Sequence, residues 1–123
     1  MSELLQKQFL FCRCLARWIE ECAYRGYACT IAEAGVQVKR KSRMGIPFKD
    51  GVHMAGSLHY SRLAVDMNLF VPDDRGRMQW VTHGDHQAWV AMGEFWESLD
   101  PLCVWGGRFD DANHLSITHH GRK

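Results

Sequence analysis

Apolar residues recur at helical spacing at the start of the chain. Leu4, Phe11, Leu15, Trp18, Ile19 and Cys22 share one side, while Lys7, Arg13, Arg17, Glu20 and Glu21 mostly take the others. The pattern predicts an amphipathic helix over residues 3–24 that packs on a core and ends at Gly26. "YACTIAEA", from Tyr27, has the alternating, β-branched character of a short strand. Further on, Leu63, Val65, Met67 and Leu69 alternate with Ala64, Asp66 and Asn68, the period of two expected of a second strand. "PDDRG" supplies turn chemistry before "RMQWV", so residues 62–81 read as a β-hairpin. Asp85 is positioned to cap a helix running to about Leu99, with Trp89, Met92, Trp96 and Leu99 as its buried stripe and Pro101 closing it. The tail turns at its glycines and ends in a short strand over residues 114–118. Helix, strand, hairpin, helix, strand is an α+β order: a small, mostly antiparallel sheet with helices packed on one face.

Residues 35–56 break this regularity. They are basic and punctuated by glycine, and they predict a long surface loop, a class of segment that is usually functional or mobile. Its Lys39, Arg40, Lys41 and Arg43 read equally well as a solvated loop or as a basic lip that steers an acidic polymer toward a site.

Composition narrows the classes. A chain of 123 residues forms one domain, spanning 1–123, and buries roughly two thirds of its unfolded surface without disulfides or metal. Any bound metal is then expected to serve chemistry more than folding. Fifteen basic and fourteen acidic residues leave a formal charge of +1, which argues against a nucleic-acid binder that relies on counterion release. The five cysteines include no C-x-x-C pair, so buried free thiols in a reducing cytosol are expected. The apolar run at residues 9–12 is too short for a signal peptide or a membrane span, so no stable membrane insertion is expected.

Seven histidines are the compositional surplus, and two of them stand near acids in a suggestive order. His59 precedes Asp66 on the second strand, and Asp111 precedes His114 by three residues. A catalytic zinc site takes three ligands from histidine and carboxylate and keeps a fourth position for water. His59, Asp66 and His114 would supply that set, with Asp111 as the further carboxylate that takes a proton. Each piece alone has a plainer reading, because strand acids usually face solvent and single histidines are usually surface groups. His83 and His86 are three apart and suit a metal on a helix, but they sit at a helix entrance with no third ligand nearby, and a solvated cap region is the simpler reading. His53 falls in the long loop, and His119 and His120 close the chain.

"S-x-H-x(6)-D", followed by "W-G-G" and "D-x-x-H", resembles the zinc peptidases that cut bacterial cell-wall peptides. These are the D-alanyl-D-alanine carboxypeptidases, the vancomycin-resistance dipeptidases and the bacteriophage L-alanyl-D-glutamate endolysins, whose fold is shared by hedgehog signalling domains. The likeness covers about residues 24–123, with its motifs at 57–66 and 105–114. It implies His59, Asp66 and His114 as ligands to Zn2+, Asp111 as catalytic base, and Ser57, Arg62, Trp105, Gly106 and Gly107 as supporting or substrate-binding positions. Aspartate at the base position, where the dipeptidases and carboxypeptidases usually carry glutamate, resembles the endolysin branch.

The chain departs from the family pattern in three places. Arg62 stands where glycine is common, "EAGVQ" lacks the arginine that usually follows the first strand, and Phe109 replaces a common tryptophan. Arg40, Arg43 or Arg62 is left to hold a substrate carboxylate. The resemblance implies a monomeric peptidoglycan hydrolase made in a host cytoplasm and released to the wall through a holin. A carboxypeptidase trimming terminal D-alanine is the nearest alternative, and a zinc- or wall-binding module without catalysis is the alternative of another class.

Overall fold

The computed structural model describes residues 1–33, 58 and 61–123, and the predicted loop at 35–56 lies outside them. Two helices, α1 (Glu3–Tyr24) and α2 (Gln87–Leu99), accompany strands β1 (Ala28–Glu33), β2 (Ala64–Pro72), β3 (Met78–Val81), β4 (Cys103–Trp105) and β5 (His114–Ile117). The class is α+β with a small, open, antiparallel sheet, as the hydrophobic pattern predicts.

The sheet runs in the order β1-β2-β5-β4, and β3 joins β2 as well. Strand β2 is long enough to take two partners along one edge. Its first residues pair with β5, Ala64 with Ser116 and Asp66 with His114, and its last pair with β3, Leu69 with Val81 through Pro72 with Met78. Between these two pairings Met67 N donates to Asn113 O at 2.8 Å, and there the neighbouring strands part. A cleft therefore opens beside the middle of β2.

Strand alternation sorts side chains onto two faces. Val65, Met67, Leu69, Leu115 and Ile117 are buried in the hydrophobic core. Helix α1 adds Phe11, Cys14, Trp18 and Cys22, and α2 adds Ala88, Trp89, Met92 and Trp96. Trp18 and Trp89 stack with ring centroids 5.9 Å apart, and Phe11 meets Trp96 edge-on at 5.8 Å. A buried indole costs free energy unless its N–H finds an acceptor, and here each one does. Trp18 donates to Met92 O (2.9 Å), Trp89 to Val81 O (2.9 Å), Trp96 to Ser116 O (3.1 Å) and Trp105 to Ala112 O (2.7 Å). These bonds tie α1 to α2, α2 to β3 and β5, and β4 to the segment entering β5.

Local signals explain the element ends. Ser2 caps α1 through its hydroxyl, which accepts from Leu5 N at 3.1 Å, and Gly26 follows the helix with φ of 81°. The cap of α2 is His86 and not Asp85: His86 Nδ1 accepts from Ala88 N at 3.0 Å. Strand β4 and the 3₁₀ turn Gly106–Phe109 are additions to the predicted elements. Among the described residues no helix is long and apolar enough to cross a membrane.

Arg62 sits at φ of 55°, the left-handed region that suits glycine, which gives a physical reason for the glycine at the matching place in the resembled motif. Arg62→Gly is expected to stabilise the fold by about 0.5–1 kcal/mol, raising Tm by a few degrees in a calorimetric scan; an unchanged or lower Tm contradicts the strain. His119 is buried, with Lys7 Nζ 3.2 Å from its Nδ1, and burial first, then the neighbouring His120 and Lys7 charges, push its pKa below the ordinary histidine value. The unfolded chain therefore binds a proton that the folded chain refuses. The stabilisation is complete above about pH 6.5 and is lost as pH falls through the lowered folded value. His119→Gln should flatten the fall in Tm between about pH 7.5 and pH 5 relative to the unsubstituted protein.

Candidate metal centre

The register of β2 against β5 sets Asp66 directly opposite His114. Their side chains share the sheet face opposite Val65 and Leu115, and His114 Nδ1 lies 3.5 Å from Asp66 Oδ1. His114 is buried and Asp66 half-buried, so the pair is partly shielded from water.

Asp111 reaches the same place by a tight turn. The 3₁₀ segment Gly106–Phe109 ends at Asp110 with φ of 59°; Asp111 N then donates to Gly106 O at 2.8 Å and His114 N to Asp111 O at 3.1 Å. This folds the three-residue step of "D-x-x-H" back on itself and carries Asp111 Oδ2 to 3.9 Å from His114 Nδ1. Phe109 meets the His114 ring edge-on, with centroids 5.8 Å apart. Gly106 underlies the turn. A Cβ built there would strike the Asp111 carbonyl oxygen and come within 2.6 Å of His114 Cβ, so no larger residue lets the backbone close this far.

One donor atom from each of Asp66, Asp111 and His114 lies within 4.8 Å of the other two. Four-coordinate first-row cations hold nitrogen and oxygen ligands at about 2.0–2.2 Å, which sets the ligands about 3.3–3.6 Å apart. The measured 3.5 and 3.9 Å separations need only small adjustments to meet that spacing. Two carboxylates also balance a divalent charge. The residues present therefore fit a metal ion. A second trio, Glu3, His119 and His120, is similarly compact. There Lys7 Nζ already lies 3.1 Å from Glu3 Oε1 and 3.2 Å from His119 Nδ1, so an ammonium supplies the cation.

The cleft beside the trio has a volume of about 260 Å³ and is lined by Asn68, Trp80, Asp111 and Asn113 over a floor of Met67 and Trp89. Asn68 continues the Asp66 face of β2 and bonds Thr30 Oγ1 at 3.2 Å. Trp80, opposite Phe70, stays 63% exposed. Sequence reasoning passed over both, although extending the alternation by two from Asp66 reaches Asn68, and carrying the hairpin register across reaches Trp80.

The remaining expected positions divide clearly. Ser57 and His59, with His53 and the cationic stretch Lys39, Arg40, Lys41 and Arg43, lie outside the described residues. Arg62 is exposed on the turn before β2. Trp105 is a core residue whose ring lies so close to Gly93 and Gly107 that a Cβ at either would overlap it. Gly107 and the rim of Trp105 also border a second cleft with His83 and Arg108, whose guanidinium bonds Glu97 Oε1 at 2.8 Å. Arg108 is in this way already committed to a carboxylate of α2.

No protein-family model and no curated protein matches the chain. Gly106→Ala should lower affinity for Zn2+ or Co2+ about ten- to hundredfold by calorimetric titration while far-UV circular dichroism is preserved; wild-type affinity in that variant argues against the trio as the binding site.

Proposed function

We propose that the protein is a zinc-dependent peptidase of the hedgehog/D-Ala-D-Ala peptidase fold that hydrolyses peptidoglycan stem peptides, between L-alanine and D-glutamate, in the manner of a phage endolysin. The observation that carries this reading is the meeting of Asp66, Asp111 and His114 donor atoms within 4.8 Å of one another, in the order that the resembled motif assigns to two ligands and a base. His59 completes the ligand set by the same resemblance.

Zinc, when bound by such residues, supplies Lewis acidity that polarises a carbonyl and makes water nucleophilic at neutral pH. The chain's own groups then divide the work. Asp66 and His114 would hold the cation, the first half-buried and the second buried. Asp111 has about half of its side chain exposed, so its carboxylate faces incoming substrate and water. It takes the proton from water as the new C–O bond forms and passes it to the leaving amine nitrogen as the C–N bond breaks. Asn68, Asn113 and Trp80 offer amides and an aromatic face to an extended peptide lying in the cleft.

Zinc-loaded protein incubated with purified cell walls should release muropeptides bearing a new amine on D-glutamate, read by mass spectrometry. With zinc saturating, Asp111→Ala should cut the rate by about a thousandfold or more, and Asp66→Ala should lose the zinc. Loss of a single terminal alanine instead identifies the carboxypeptidase. One equivalent of zinc without turnover on any wall identifies a binding module, and a wild-type rate in Asp111→Ala sinks the assignment of the base.

A further inference from the structure

One pair of cysteines joins helix to sheet. Cys103 of β4 donates its thiol hydrogen to Cys14 of α1, with the sulfurs 3.7 Å apart and both residues buried. The two stand 89 residues apart in the chain. Cys12, two residues before Cys14, is exposed. Strand β4 is an end strand of the order β1-β2-β5-β4, so this contact lies where α1 crosses one flank of the sheet.

We propose that Cys14 and Cys103 form a disulfide site that closes when the chain folds under oxidising conditions and fastens α1 to the β4 flank of the sheet. Closure joins two sulfurs and gives up two protons and two electrons. A small-molecule disulfide accepts them: one protein thiolate displaces a small thiol to form a mixed disulfide, and the second protein thiolate displaces the other. A disulfide needs its sulfurs about 2.05 Å apart, and the 3.7 Å contact already brings the two sulfurs into van der Waals reach. Burial pushes both thiols up, so the folded reduced chain holds almost no thiolate at this site. Closure thus belongs to folding, while the thiols are still open to the oxidant, and the finished core protects the bond from reduction. This inference is independent of the metal centre.

The test is to unfold the full chain, refold it in mixed reduced and oxidised glutathione, trap free thiols by alkylation and map peptides without reduction. The expected product carries the Cys14–Cys103 bridge, neither of those residues alkylated, and a Tm higher by about 10 °C that reverts on reduction. Alkylation of Cys14 or Cys103 in folded product, or a bridge from either to another cysteine, overturns the proposal. The same map on chain exported to a bacterial periplasm decides the matter if refolding in vitro yields no folded product.

Discussion

The pairing of β2 with β5 is the constraint on which the rest of the molecule depends. With Asp66 opposite His114, the apolar set Val65, Met67, Leu115 and Ile117 enters the core, and an acid and an imidazole meet on the other face. Side chains alternate with a period of two, so a slip of one residue would exchange these roles. Apolar groups would then face outward and ionisable groups would enter the core, at a cost of several kcal/mol for each unpaired polar group. Core burial therefore specifies the geometry of the centre as well as the fold.

The indole hydrogen bonds reinforce this register from the helix side. Trp96 of α2 reaches Ser116 O on β5, while Trp89 of the same helix reaches Val81 O on β3. One helix thus fixes both strands that share the edge of β2, and with them the width of the cleft. Trp105 holds the third wall through Ala112 O, next to Asp111, and its seat against Gly93 transmits the position of α2 to the turn. A substitution at Gly93, remote from any donor atom, should therefore disturb the centre.

Much of this was legible in the sequence, because the signals were local and repeated. The stripe from Leu4 to Cys22 spans about five turns, and the observed helix, Glu3–Tyr24, has the predicted bounds. The alternation around Asp66 and the turn at "PDDRG" gave the hairpin. Other features have no local signature. Strand β4 is only Cys103–Trp105, too short for a period to register, and it exists because β5 offers it an edge. The cap of α2 fell to His86 because its ring nitrogen, and not the preceding carboxylate, met the first free amide. The sulfur contact joins residues as far apart as 14 and 103, and the Asp111–His114 approach depends on Gly106 and a left-handed Asp110. Spacing could propose that trio as partners; the backbone path between them could not be read from it.

Trp80 alone of the five tryptophans faces water; the other four are buried and hydrogen-bonded to carbonyls. Its emission should consequently be the red-shifted component of the protein's fluorescence and the part open to a collisional quencher. Because that ring borders the cleft beside Asp111, the native chain carries its own optical probe of whatever settles there.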